Sequence, residues 1–437
     1  MNVAEVWMWG QQIGAVAWNE QQQLASFEYT PTFSRKGIEP APLMMPCSAT
    51  RNVFAFPELR PRPNATEDAF KGLPGMLADA LPDRFGTSLI NVWLARQGRP
   101  ENSLNPVERL CFVGSRGMGA LTFKPASQAI NSEAERVSIA NLVDISRKLL
   151  ANREQFSTDL RDEESAMESI LQVGTSAGGA RPKAVIAYNE ETKEVRTGQA
   201  NAPSGFEHWL LKIDGASDVQ FGKSSGFGRV EMAYYDMALD AGIQMMPSRL
   251  LEENGRGHFM TKRFDRSGGS TRHHIQTLCA MKHYDFNNML GYSYEQLFQT
   301  MRELQLSYAE AEQMYRRMVF NVVAQNCDDH TKNFAFLLKE GSNWQLAPAY
   351  DICYAYRKDS LWVSQHALSI GGKRKAFTRK DLTEIGESIG SKSATAILDE
   401  IIEVVSGWAK YANKYEVSSS LELEIEDHLL VSSLRSS

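Results

Sequence analysis

The stretch NCDDHTKNFAF, residues 326–336, joins a run of helical periodicity to a run of strand-like character. Its first eight residues hold two carboxylates, an imidazole, an ammonium and two carboxamides. Upstream, YAEAEQMYRRMVFNVVAQ (308–325) places Met314, Met318, Val319, Val322 and Val323 on one helical face. Downstream, FAFLLK, EGSN and WQLAPAYD (334–351) read as strand, turn and strand, with Asp351 directly after the hairpin. The pattern is therefore a helix end, a polar loop, a hairpin and one further Asp.

That order carries chemistry. Asp328 and Asn333 stand five apart, and Asp351 follows the hairpin. Protein kinases use an Asp to accept the substrate hydroxyl proton and an Asn five residues on to hold Mg²⁺. A second Asp after a hairpin binds Mg²⁺ that bridges the ATP phosphates. Hard oxygen ligands suit Mg²⁺, and a carboxylate beside the nucleophile suits proton acceptance. His330 sits close enough to Asp328 to brace the loop or to serve as a base. Each piece alone also fits helix-end capping and turn chemistry. The same Asp328, Asp329, His330 and Asp351 set suits two-metal hydrolysis as a nuclease or phosphoesterase.

A kinase also needs a phosphate cradle. GTSAGG (174–179) offers Gly174, Gly178 and Gly179, whose backbone amides suit an anion. It is neither a Walker A loop nor G-x-G-x-x-G, and equally reads as a plain turn. Lys212, in the apolar strand-like EHWLLKID (207–214), suits a lysine pairing the α- and β-phosphates, or a strand-end lysine facing water. Glu231 opens the next helix, where it pairs Lys212 or complements the helix dipole. His273 and His274 fall in a polar loop, and His208 and His258 begin strands. The basic run GGKRKAFTRK (371–380) reads as a solvated face or a contact for an acidic or phosphorylated partner.

The rest of the chain bounds the answer. Its 437 residues allow two or three domains. Hydrophobic residues at 43% and charged residues at 23% are ordinary for a globular protein. A net charge of −6 gives no global basic field for nucleic acid or an anionic membrane. No apolar run approaches the roughly 20 residues needed to span a bilayer. The start, MNVAEVWMWGQQIG, lacks a basic leader and a signal-type apolar core. Five scattered cysteines, with no C-x-x-C pair, argue against a zinc site or a disulfide framework and for a reduced cytoplasm.

Organisation follows from pattern. AEVWMWG, IGAVAWN and LASFEYT are alternating strands, GLPGMLADALPDRFGTSLINVWLARQG is helical, and GMGALTFKP is a strand. Residues 1–125 read as a small α+β module, and PASQAINSEAERVS (125–138) reads as a linker. SIANLVDISRKLLANR and EESAMESILQV read as helix, RVEMAYYDMALDAGI as an amphipathic helix, and HFMTKRFDR (258–266) as a strand. From about residue 379 the chain is mostly helical.

Taken together, NCDDHTKNFAF, LAPAYDICYA (346–355), GGARPKA (178–184) and KRFDR (262–266) resemble the signature segments of the HipA family of serine/threonine kinase toxins. GMLADALPDRFG (75–86) and GMGALTF (117–123) are similar to that family's N-terminal subdomain. The resemblance covers nearly the whole chain. It implies an α+β, protein-kinase-like two-lobed fold with a small N-terminal α/β subdomain and a largely helical C-terminal lobe. The expected parts are 1–125, a kinase N-lobe-like part at 138–270 and a helical lobe at 271–437. It implies ATP and Mg²⁺ as cofactors and a serine of a protein as acceptor.

By motif, Asp328 is the catalytic Asp, with His330 and Lys332 beside it, and Asn333 and Asp351 are the metal ligands. Lys212 is the phosphate-binding lysine, with Lys183, Ser176, Gly178 and Gly179 completing the nucleotide set. Lys262 and Phe264 fall near the base. Ser176 matches a serine that members phosphorylate on themselves, ejecting the loop and switching off ATP binding; Thr175 stands next to it. The resemblance further implies a helix-turn-helix antitoxin, DNA contact only through that partner, no membrane, and targets such as aminoacyl-tRNA synthetases. A non-catalytic role as the partner of a DNA-binding antitoxin is the remaining alternative.

Overall fold

The computed structural model describes residues 2–48, 52–62, 68–100, 103–126, 135–151, 182–198, 201–215 and 226–435. The chain divides into two compact units. One comprises Met1–Ser225, Leu251–Gln276 and Leu337–Ser342; the other Gly226–Leu250, Thr277–Phe336 and Asn343–Ser437.

The first unit is built on two sheets. Strands β1 (Val3–Met8), β2 (Gln11–Asn19), β3 (Leu24–Tyr29), β4 (Val53–Phe54) and β5 (Leu121–Lys124) lie in the order β4-β3-β2-β1-β5, every pairing antiparallel. Alternation in β1 buries Ala4, Val6 and Met8, the period-2 signature of a half-covered sheet. The Pro106–Val113 helix starts on a capping box between Asn105 and Glu108, with Pro106 at its first position. It buries Val107, Leu110, Cys111, Phe112 and Val113.

The second sheet contains β6 (Lys183–Asn189), β7 (Val195–Thr197), β8 (Phe206–Lys212), β9 (Ser248–Glu253) and β10 (Arg256–Lys262), in the order β7-β6-β8-β10-β9. One face carries Ala184, Ile186, Tyr188, Trp209, Leu211 and Met260. It packs on Leu89, Ile90 and Leu94 of the Arg84–Arg96 helix, on Phe112, and on Leu142 and Val143 of the Ile139–Ala151 helix. One apolar core therefore runs from the N-terminal module into this sheet.

The second unit is mainly helical. It contains Phe227–Asp240, Tyr294–Glu303, Tyr308–Val323, Arg379–Ser388, Ala394–Ser406, Trp408–Lys414 and Ser419–His428. Its centre is aromatic: Tyr234 meets Phe320 and Trp408 edge-on, and its hydroxyl donates to the Ala324 carbonyl at 2.7 Å. Gly386 marks a close helix approach, since a Cβ there would lie 2.5 Å from the Ala394 Cβ.

Three local expectations change. The run 258–266 leaves strand geometry at Lys262, because Arg263 and Asp265 turn inward to pair with each other. WQLAPAYD is strand only over Trp344–Leu346; Pro348 has no N–H for a ladder and ends the regular structure. His273 and His274 are buried rather than in a solvated loop, and burial pushes the His274 imidazole down to about 4. EESAMESILQV and the small-residue loop 174–180 lie outside the described residues.

Candidate active site

In the helical unit, the polar loop begins where the Tyr308–Val323 helix ends. That helix starts on a Ser307–Glu310 capping box. It closes through Gln325, at φ +55, the left-handed conformation usual for a helix stop. The next residues are fastened from several sides. Cys327 N–H donates to Ala355 O at 3.1 Å, and Ala355 N–H donates to Gln325 O at 3.0 Å. Thr331 Oγ1 donates to Tyr284 O at 2.7 Å, and Tyr350 Oη donates to Lys332 O at 2.7 Å.

Within this frame the two adjacent aspartates part company. The Asp328 side chain is 31% exposed. Asp329 is fully buried. Its Oδ2 accepts from Tyr294 Oη at 2.7 Å and from His366 Nδ1 at 2.9 Å, and its Oδ1 accepts from the Ala367 N–H at 2.7 Å. Those donors take three of the carboxylate's roughly four acceptor positions, in a place closed to solvent. The hydrolytic alternative, which required Asp329 beside Asp328, thereby loses one of its carboxylates. Among the described residues, no group of three or more His, Cys, Asp and Glu side chains is arranged to hold a metal ion.

His330 Nε2 lies 3.8 Å from Asp328 Oδ1, too far for a hydrogen bond. The Lys332 N–H points at His330 Nδ1 from 3.3 Å, which makes Nδ1 the acceptor and leaves the proton on Nε2, facing Asp328. In that tautomer His330 supports the Asp328 charge rather than drawing a proton through it. Lys332 rests its ammonium 4.6 Å above the Phe286 ring. Asn333 Nδ2 donates to the Asp328 carbonyl at 2.6 Å, which directs the amide nitrogen inward and leaves Oδ1 as its remaining ligand atom. Asp351 is half-buried and holds φ +53, a conformation L-residues other than Asn and Asp seldom adopt. Its carbonyl accepts from Asn326 Nδ2 at 3.2 Å. Asp328, Asn333 and Asp351 thus supply carboxylate and amide oxygens only, the donor chemistry that suits a hard divalent cation.

In the sheet unit, register places Lys183 of β6 opposite Lys212 of β8, and Lys212 opposite Phe259 of β10. The row lies on the face away from the apolar core, and the Lys212 ammonium is 5.7 Å from the centre of the Phe259 ring. Like charges set directly opposite each other in a sheet repel. Such a pair is suited to a polyanion. Lys262, expected near the base, falls on the other face opposite Trp209, and its ammonium is ion-paired to Glu207. Phe264 follows that strand and is half-buried. Ser176, Thr175, Gly178 and Gly179 lie outside the described residues. Glu231 is buried at the fifth position of the Phe227–Asp240 helix, not at its opening.

Comparison with known proteins places these two constellations in a family. Residues 4–124 match the model of the HipA N-terminal domain, and residues 175–408 match that of the HipA-like C-terminal domain. The chain belongs to the HipA family. Along 99% of both chains it superposes on a Shewanella oneidensis protein from a toxin–antitoxin complex of HipA, HipB and operator DNA, with a TM-score of 0.62 at 15% identity. A Haemophilus influenzae protein described as a "Putative kinase" is 24% identical over 298 residues, 62% of this chain and 84% of that protein. The fold is accordingly the mixed α/β, two-lobed HipA fold.

For a HipA-family chain, the residues missed from sequence are those beneath the loop. Asn321, Asn326, Tyr294 and His366 form a buried chain of hydrogen bonds around Asp329. His366 has no motif around it, and Tyr294 reads as an ordinary helix residue. Asp329 itself is visible in NCDDH, but nothing in that run distinguishes the exposed from the buried carboxylate. Arg263 and Asp265 of KRFDR are likewise structural. Asp265 accepts from Arg263 Nε at 2.8 Å, from Arg263 Nη2 and Arg266 Nη1 at 2.6 Å, and from the Gly119 N–H at 2.7 Å. Burial alone raises such a carboxyl; the two guanidiniums outweigh it and hold Asp265 well below the carboxylate range.

Proposed function

We propose that this chain is an ATP- and Mg²⁺-dependent serine/threonine protein kinase that phosphorylates a protein substrate and, on Ser176, itself. The observation that carries the reading is that the chain holds two constellations, one in each unit. One is a half-exposed carboxylate with an oxygen-only ligand set, Asp328, Asn333 and Asp351. The other is the opposed Lys183–Lys212 row. Membership of the HipA family and the likeness to a protein described as a kinase support it.

In this reading Asp328 accepts the proton of the acceptor hydroxyl, and His330 lies beside it, with Nε2 3.8 Å from Asp328 Oδ1. Lys332 flanks it. Asn333 and Asp351 hold Mg²⁺, which when bound neutralises charge on the transferring phosphate. Lys183 and Lys212 bind phosphate oxygens, and Ser176, Gly178 and Gly179 of the small-residue loop complete the cradle. Phosphate on Ser176 would bring roughly −1.5 to −2 charge into that loop and displace nucleotide. The three-part division 1–125, 138–270 and 271–437 belongs to the proposal, as does a cytoplasmic location. No described helix is long and apolar enough to cross a membrane.

The Shewanella protein's complex with HipB and operator DNA supports a DNA-binding antitoxin as partner, with DNA reached through it. An aminoacyl-tRNA synthetase is the first target to try. The test is incubation with γ-labelled ATP, with and without Mg²⁺, alone and with cell lysate. Mg²⁺-dependent label on residues 174–181 and on a lysate protein supports the proposal. ATP binding without transfer to any protein would refute it.

A further inference from the structure

The Asp329 node is larger than a buried charge needs. Besides its three donors, it opens into a continuous polar chain. Asn321 Nδ2 donates to Tyr294 Oη at 3.1 Å, Asn326 Nδ2 donates to Asn321 Oδ1 at 3.0 Å, and the same Asn326 amide reaches the Asp351 carbonyl. Asp329 is covalently next to Asp328, so one end of the chain lies at the candidate base and the other at a candidate metal ligand held at φ +53. Every side chain between them is buried.

The donors are themselves held in place. Arg374 Nη2 donates to Tyr292 O at 3.0 Å, and Arg374 Nη1 donates to Ala367 O. The His366 N–H donates to Arg374 O at 3.0 Å. One guanidinium from the basic run 371–380 thus ties the segment bearing Tyr294 to the segment bearing His366 and Ala367. From sequence that run reads as a solvated face or a contact for an acidic or phosphorylated partner; Arg374 instead serves an internal tie. Burial disfavours charge on His366, but the Asp329 carboxylate outweighs it and lifts the imidazole to about 10. His366 is then a charged donor, and charge-assisted hydrogen bonds hold their geometry better than neutral ones.

We infer that Asp329 is a positioning residue whose buried carboxylate, gripped by Tyr294, His366 and the Ala367 amide, sets the orientation of Asp328 and, through Asn321 and Asn326, of Asp351. The physical reason is that Asp328 is on a loop, where precision has to come from what lies beneath it. A buried polar network supplies directional rigidity that apolar packing does not. This rests on the roles proposed for Asp328 and Asp351.

The test compares Tyr294→Phe, His366→Leu and His366→Asn in the full chain. Steady-state phosphate transfer, thermal midpoint and amide hydrogen exchange over 326–333 are measured for each. Misplacing a catalytic group by about 1 Å costs on the order of 10²-fold, so Tyr294→Phe and His366→Leu are expected to lower kcat toward that extent while KM for ATP holds. His366→Asn, whose Nδ2 takes the place of Nδ1, should recover much of the loss. Exchange at 326–333 should quicken in the first two and stay close to normal in the third. Folded variants with unchanged kcat and unchanged loop exchange overturn the inference. So does a kcat loss no greater than the loss of folded protein, with His366→Asn no better than His366→Leu. If His366→Leu does not fold, Tyr294→Phe, which removes a single oxygen, decides alone. If the unmodified chain transfers no phosphate, the kinase reading fails, and loop exchange in Tyr294→Phe still decides: quickened exchange supports the anchor, unchanged exchange overturns it.

Discussion

Asp265 and Asp328 both lie in short charged motifs, KRFDR and NCDDH, yet they are handled in opposite ways. Asp265 has no exposure and is wrapped by two guanidiniums and an amide. Arg266 and Arg272 continue from it, donating to the carbonyls of Ser115, Gly117, Gly119 and Leu121. The KRFDR knot therefore fastens GMGALTF to the end of β10 within the sheet unit. Asp328 keeps about a third of its side chain in solvent, and its backbone carbonyl accepts from Asn333 Nδ2. The difference teaches that a charge buried among its donors is architecture, whereas one that keeps contact with water is available for chemistry.

The largest expected effect tests the exposed member. Asp328→Asn should reduce phosphate transfer by about 10²–10⁴-fold, the usual contribution of a positioned general base. Nucleotide affinity and thermal midpoint should stay close to those of the unmodified chain. Transfer rates together with calorimetry check this. Near-normal transfer would remove Asp328 from the role, and a large fall in midpoint would make it resemble Asp265.

The buried member should fail differently. Asp265→Asn leaves Arg263 and Arg266 buried without their anion, and breaking a buried ion pair typically costs about 3–5 kcal/mol. Denaturant unfolding should show that loss, while the protein that remains folded transfers phosphate normally. The pH dependence has a definite sign. The folded-state pKa of Asp265 is depressed, so its stabilisation is present above the unfolded value of about 3.9 and is lost as pH falls below it. The unmodified chain should therefore lose stability steeply below about pH 4, and Asp265→Asn should show a flatter acid limb. His366 has the reverse sign. Its raised pKa gives stability that is full below about 6.5 and fades as pH climbs toward about 10. Midpoints measured from pH 6 to 10 should decline less in His366→Asn.

How much of this was legible in the sequence follows the same division. Periodicity located four of the five strands of the first sheet, missing the two-residue Val53–Phe54, and it located the Tyr308–Val323 helix and the hairpin after it. Motif order singles out Asp328, Asn333 and Asp351 as the residues of the proposed site, because hard-ligand chemistry restricts residue type and spacing together. The parts that escaped depend on distant partners. Asp329 meets His366 across 37 residues, and Asp265 meets Gly119 across 146. His273 and His274 look solvated in a string of Ser, Thr and Arg, but His274 Nε2 donates to the Pro40 carbonyl, 234 residues away, and is buried there. No local window carries such information.

The same contrast can be sharpened within one sheet. Lys183 and Lys212 stand opposite each other on the face away from the core. A hydrogen bond to a charged group contributes roughly 1.5–3 kcal/mol, so Lys212→Met and Lys183→Met should each weaken ATP binding about 10- to 100-fold. Titration with a fluorescent ATP analogue measures it. Equal affinity in both variants would take the opposed row out of nucleotide binding.

The smallest effect is expected at Lys262, and it sets family resemblance against geometry most directly. By motif Lys262 falls near the base. By register it pairs with Trp209, three residues along the strands from the Lys212 row, and an odd offset in a strand turns a side chain to the opposite face. Its ammonium is ion-paired to Glu207, whose side chain is 48% exposed. An exposed pair of that kind contributes only about 0–1 kcal/mol. Lys262→Ala should therefore shift the thermal midpoint little and leave ATP affinity close to that of the unmodified chain, while Lys212→Met loses it. If Lys262→Ala instead weakens ATP binding as strongly as Lys212→Met, the face assignment gives way and the motif reading stands. If it weakens ATP but not a nucleotide lacking the adenine, Lys262 reaches the base from its own face, and the two lysines serve different ends of one ligand.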